Sequence, residues 1–237
     1  MSDAAGLEIV KPAIDVGVQT NDLAAHQAFW GDELGLRFDH LLKIGGGIHQ
    51  HRYDLHGGVL KLNAHREPLP ADAPTGFTAI AVVDPVRAAD GIQGRVGPDG
   101  VRVALTPPTQ DGTRVNVMLE ASDVERTLDV LERTFGGVRG ESGTLRIGET
   151  KLSVKHRRDR RPTEGRDGLG IRYLTVQVRD VDAAHAHALA SGMTEGMAPL
   201  RLGDVARISF VRLPDGDWIE LSQRASLTGP LPDDPPT

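Results

Sequence analysis

The chain of 237 residues contains no cysteine. That excludes disulfides, thiolate nucleophiles and cysteine-ligated metals, without fixing a compartment. Aromatic residues make up only 4% of it, so each of its two Trp and two Tyr is worth placing. Positive charge is short: 27 Lys and Arg stand against 33 Asp and Glu, a net charge of −6. The whole molecule therefore has no electrostatic case for nucleic acid or an anionic membrane. No apolar run is long enough to cross a bilayer. The first residues lack the basic-then-apolar order of a signal peptide. These absences point to a cytoplasmic protein whose partner is a small molecule. Hydrophobic content of 39% and this length suffice for one large or two small domains.

What is present is a repeat. Four short alternating runs each end in an aspartate that opens a helix-like segment: 15–22 (DVGVQTND), 77–84 (FTAIAVVD), 116–123 (NVMLEASD) and 173–180 (YLTVQVRD). In the first, Val16, Val18 and Thr20 alternate with Asp15, Gly17 and Gln19, the pattern of a strand with one apolar face. Asn21 and Asp22 cap a helix that Gly35 ends, and strands over 36–42, 48–55 and 59–64 follow. The unit is β-α-β-β-β. The fourth unit repeats it, with a strand over 171–178, a helix to Ala190 and strands near 197–202, 206–213 and 218–222. The third is more compact, and the second is reduced to a poor helix broken at Gly91 and a strand over 101–105. The proline-rich stretch 107–112 is the best boundary, giving domains 1–107 and 112–224 and a disordered tail, 225–237. The basic run 156–161 reads as a solvated linker, or as a contact for an anionic substrate.

These paired units, the phrase 22–36 (DLAAHQAFWGDELGL) and the ending 214–221 (PDGDWIEL) resemble the vicinal oxygen chelate superfamily. Its members include glyoxalase I, extradiol dioxygenases and bleomycin-resistance proteins. The resemblance implies an α+β fold of two glyoxalase-like domains whose curved, mostly antiparallel sheets form cups. It also implies metal ligands at the start of each first strand and in each last strand. The first-strand positions hold Asp15, Phe77, Asn116 and Tyr173; the last-strand positions hold Lys61, Ala104, Ser153 and Glu220. Only Asp15 and Glu220 are good ligands there, so the usual metal site is in doubt.

Period two puts Lys61, Asn63 and His65 on one face, and Trp218, Glu220 and Ser222 on another. Tyr173 shares a face with Thr175 and Gln177. Asp15, Lys61, Tyr173 and Glu220 are the catalytic candidates; Tyr53, Asn63, Asn116 and Trp218 are the substrate-binding ones. His49 and His51 lie two apart in 48–53 (IHQHRY) and with Glu220 form the candidate set for one divalent metal, Fe, Mn, Zn or Ni. A protonated Lys61 argues against a standard metal and for an ion pair with Asp15, which leaves a protein without any metal as the alternative. Three functions stay open: a glyoxalase- or dioxygenase-like enzyme of a small oxygen-rich or aromatic metabolite, a metal-free binding protein, and a metal-free acid–base isomerase or lyase. The resemblance also implies a homodimer.

Overall fold

The computed structural model describes residues 7–232. The first unit runs β1 (Asp15–Thr20), α1 (Leu23–Gln27), a π-helical turn Ala28–Glu33 that continues it, β2 (Phe38–Gly45), β3 (Ile48–Leu55) and β4 (Gly58–His65). The second holds β5 (Phe77–Val83), β6 (Gln93–Val96) and β7 (Arg102–Thr106). The third holds β8 (Val115–Ala121), α2 (Val124–Phe135), β9 (Val138–Arg139), β10 (Thr144–Ile147) and β11 (Thr150–His156). The fourth holds β12 (Gly170–Gln177), α3 (Val181–Ala190), β13 (Thr194–Leu202), β14 (Ala206–Arg212) and β15 (Trp218–Arg224), followed by α4 (Ala225–Thr228).

The repeated aspartates do the same local work. Asp22, Asp123 and Asp180 each accept from the backbone N–H three residues on, at 3.0 Å, and so cap α1, α2 and α3. Asp84 takes the N–H of Val86 and Arg87, but 84–92 then forms turns rather than a helix. Ala88 is buried there, but Val86 and Ile92 are exposed, so the segment has no continuous apolar face to bury.

The sheets do not follow the expected boundary. One has the order β13-β14-β15-β12-β1-β4-β3-β2 and joins the fourth unit to the first; the other has the order β6-β7-β5-β8-β11-β10-β9 and joins the second to the third. A cut at 107–112 falls between β7 and β8 of a single sheet, so 1–107 and 112–224 are not separate sheet domains. Within each unit the first and last strands are parallel; units meet through antiparallel β1–β12 and β5–β8. The tail expected to be disordered begins with α4, which continues directly from β15. Its last residues, 233–237, and the opening 1–6 lie outside the described residues.

The apolar faces join in one core. Val16, Val18, Leu60, Leu62, Leu174, Val176, Ile219 and Leu221 of the first sheet cluster with Val117, Leu119 and Leu152 of the second. Leu128 and Leu131 of α2, Ala184 and Ala188 of α3, and the fully buried Trp30 complete it. The opposite face of the first sheet is left for the site.

Candidate functional site

Strand register builds this face in two rows. Lys61, Gly17, Tyr173 and Trp218 stand side by side across β4, β1, β12 and β15. Asp15, Thr175 and Glu220 form the next row. Gly17 is required in its row, because a Cβ there would lie 2.3 Å from the Tyr173 ring. The ring lies over the glycine, and its hydroxyl is brought to Asn63.

The two rows are tied by a closed set of bonds. Lys61 Nζ donates to Glu220 Oε2 and Thr175 Oγ1, both at 2.7 Å, and the Thr175 hydroxyl donates to the same Oε2 at 2.6 Å. Asp15 lies 3.9 Å from Lys61 Nζ and accepts from Lys11 Nζ at 2.7 Å, Val59 N at 2.9 Å and Gln177 Nε2 at 3.1 Å. Burial alone pushes the Asp15 carboxyl up, but Lys61 and Lys11 together hold it below its ordinary value. Burial pushes the pKa of Lys61 down, against the pull of Glu220 and Asp15. A second relay runs from Arg52 Nη1 to Gln50 Oε1, from Gln50 Nε2 to Asn63 Oδ1, and from Asn63 Nδ2 to the Tyr173 hydroxyl oxygen, at 2.8, 2.9 and 3.1 Å. Burial, then Glu220, pushes the Tyr173 phenol well up, so it stays protonated.

Two groups are left uncommitted. Glu220 Oε1 takes no hydrogen bond from the described residues, and its side chain keeps 10% exposure. The Tyr173 hydroxyl accepts from Asn63, and its own proton has no acceptor among the described residues. Both residues line a cavity of ≈ 450 Å³, within the usual range for a small-molecule site. Its polar floor includes Gln19, Gln50, Lys61 and Asn63. Its walls come from opposite edges of the sheet: Leu42 and Ile44 of β2, and Leu200, Ile208 and Phe210 of β13 and β14. The sheet therefore curls until its edges face one another across the cup.

The expected metal set is not assembled. Gln50 lines the cup, so His49 and His51, one position off, point to the other face of β3. There His51 lies near Gln27 and, like Tyr53, packs against Phe38, with ring centroids 6.1 and 5.5 Å away. His49 and His51 are thus separated from Glu220 by the sheet itself, and Tyr53 does not line the cup. Among the described residues no three His, Cys, Asp or Glu side chains gather to hold a metal. The positions implied by the resemblance do not fit a divalent ion either. Lys61 sets an ammonium against both carboxylates, where it would repel such an ion.

Two further expectations are corrected. Asn116 belongs to the second sheet, where it accepts from Ser153 Oγ at 3.0 Å beside a smaller cavity of ≈ 230 Å³. Trp218 lies edge-on to Phe210 and lines a separate crevice of ≈ 830 Å³ between loops 70–74 and 161–167. That crevice is larger than the cup, and its Arg172 is spent on the carbonyls of Ala73, Gly165, Arg166 and Asp167. The basic run is not simply solvated, because Arg160 is buried on Asp217 at 2.8 Å.

Thr175, Gln50 and Arg224 are site residues that received no role from the sequence. Thr175 was legible through its shared face with Tyr173. Gln50 was hidden because β3 is polar on both faces.

Residues 114–221 match the family model described as Glyoxalase/Bleomycin resistance protein/Dioxygenase superfamily. Glyoxalase I from Zea mays shares the fold with a TM-score of 0.71 at 15% identity, covering 89% of this chain and 92% of that one. A putative dioxygenase from Bacillus subtilis gives 0.59 at 14% identity over 92% and 86% of the two chains. The cppA protein from Streptococcus pneumoniae gives 0.57 at 10% over 91% and 98%. No curated protein matches the sequence. The family model meets the third and fourth units, and the fold shared with these structures extends over all four. At these identities the solved structures speak for the fold alone.

Proposed function

We propose that the cup between the first and fourth units is a metal-independent acid–base site for a small molecule bearing a carbonyl oxygen. The observation that carries this reading is the pairing of an open carboxylate oxygen, Glu220 Oε1, with an uncommitted phenol proton on Tyr173. Glu220 takes a proton from the carbon next to the ligand's carbonyl carbon. The C–H electron pair forms the C=C of an enolate and the C=O pair moves onto the carbonyl oxygen, which the Tyr173 O–H stabilises by donation. Returning the proton to a different carbon gives an isomerisation; loss of a leaving group gives an elimination. Lys61 and Thr175 fix the other oxygen of Glu220, so the base is oriented before the ligand arrives.

The test is solvent deuterium incorporation into candidate carbonyl compounds, followed by NMR. Glu220→Gln is expected to keep ligand binding and lose exchange by roughly 10²–10⁴-fold. Tyr173→Phe is expected to lose roughly 10²–10³-fold. A stoichiometric transition metal in protein purified without chelator, with exchange abolished by chelation, overturns the reading. A second reading, a cup that binds without turnover, is favoured by the apolar walls on β2 and β13. Binding without exchange in the wild type would select it.

A further inference from the structure

We infer that Arg166 sets the ligand class of this cup: its guanidinium, held over the Phe210 ring, receives a carboxylate, so the ligand is a small carbonyl compound that also bears a carboxylate. The inference deepens the acid–base reading above and rests on it. Arg166 lines the cup, and the centre of its guanidinium lies 4.7 Å from the Phe210 ring centroid. Phe210 stands opposite Glu220 in the register of β14 and β15. Its ring lies edge-on to that of Tyr173, with centroids 5.7 Å apart. The cation therefore rests on a ring that neighbours both members of the acid–base pair.

The backbone that carries Arg166 is fixed before any ligand arrives. Arg172, 1% exposed, donates to the carbonyls of Gly165, Arg166 and Asp167 at 2.9, 3.0 and 3.4 Å. Gly168 N donates to Gln19 Oε1 at 3.2 Å, and Gln19 belongs to the cup floor. Such anchoring removes part of the ordering cost of binding. The Arg166 side chain, in contrast, is uncommitted. It makes no hydrogen bond and has no carboxylate within 4.0 Å among the described residues, and its nitrogens stay open to solvent. Arg160 and Arg161 of the same stretch are spent, on Asp217 and on the Asp72 carbonyl. A guanidinium over a ring keeps its planar N–H fork, which matches one planar carboxylate better than a tetrahedral phosphate.

The charge of the cup agrees. The chain carries −6 overall, yet Lys43, Lys61, Arg166 and Arg224 line the cup against one carboxylate, Glu220. Lys61 is offset by Glu220 and Asp15, so the rest of the charged lining is positive. A cleft lined by one sign of charge draws a ligand of the other.

The experiment is calorimetric titration of the whole chain with α-oxopentanoate and levulinate, each beside its carboxamide, in the wild type and in Arg166→Gln. The amides keep the carbonyl and lose only the charge. In the wild type the acids are expected to bind roughly tenfold or more tighter than the amides, and more weakly as salt rises. In Arg166→Gln that preference is expected to vanish while amide binding is unchanged. Equal binding of acids and amides in the wild type overturns the inference, as does a preference that survives in the variant. A variant that loses amide binding as much as acid binding makes Arg166 a structural residue, which overturns it too. If neither acids nor amides bind, this ligand class is wrong. The acid–base reading is judged separately, by deuterium exchange into uncharged carbonyl compounds and its loss in Glu220→Gln.

Discussion

Lys61 is the residue on which the site turns. A fully buried ammonium bonded to Glu220 and close to Asp15 serves as the cation of the cup. Removing it leaves two buried carboxylates short of their partner, and breaking such pairs is expensive. Lys61→Met is expected to destabilise the fold by about 3 kcal/mol, read as a shift in the urea midpoint. Asp15 makes a separate prediction. Its folded pKa lies below the ordinary 3.8, so its contribution is complete above that value and is lost as pH falls through the folded one. Asp15→Asn should therefore flatten the acid limb of stability below about pH 4, measured as urea midpoints across that range. An unchanged acid limb would show that Asp15 is not held down by its lysines. Both residues were picked out by position in the sequence. That Lys61 reaches Glu220 as well as Asp15 was not, because the two stand 159 positions apart.

At the scale of elements, the alternation of β1, β4, β12 and β15 was legible because each has one apolar face that must be buried. β3 carries polar residues at four consecutive positions, 49–52, so neither face announces itself. The neighbouring strands decide: pairing with β4 sets Gln50 opposite Asn63 and Arg52 opposite Lys61, which fixes both in the cup and turns the histidines away. Gly17 belongs to this scale too, since it gives Tyr173 the space that holds its hydroxyl beside Asn63. Gly17→Ala is expected to displace the ring and cost about 1–3 kcal/mol. Loss of activity with an unshifted Tyr173 ring signal by NMR would contradict that account. The helix of the first unit is anchored to the second unit: the Trp30 indole donates to His26 Nδ1 at 3.1 Å, and His26 Nε2 meets Asp99 at 2.9 Å.

Across the whole molecule, the first unit pairs with the fourth and the second with the third, so each sheet draws on both halves of the chain. Asp217, in the turn before β15, accepts from Gly76 N at 2.6 Å ahead of β5 and from Arg160 at 2.8 Å, tying the two sheets together. Residues 1–107 alone would expose the unpaired edges of β1 and β5 that β12 and β8 cover. Expressed separately, 1–107 and 108–237 are expected to lack cooperative unfolding, and co-expressed they should copurify with wild-type-like melting. A monomeric 1–107 that unfolds cooperatively by itself would overturn this.

The sequence by itself determined the unit. Caps at Asp22, Asp123 and Asp180, alternation in the first and last strands, and the stop at Gly35 act over a few residues, where propensity and patterning suffice. It also placed Asp15, Lys61, Asn63, Tyr173 and Glu220 on cup-type positions. Which units share a sheet was decided only by the tertiary structure, because every first strand offers a similar edge and local pattern cannot rank the partners. The same choice decided the site. It brought Glu220 to Lys61, sent Asn116 to the other sheet, and put His49 and His51 behind the strand that carries Gln50.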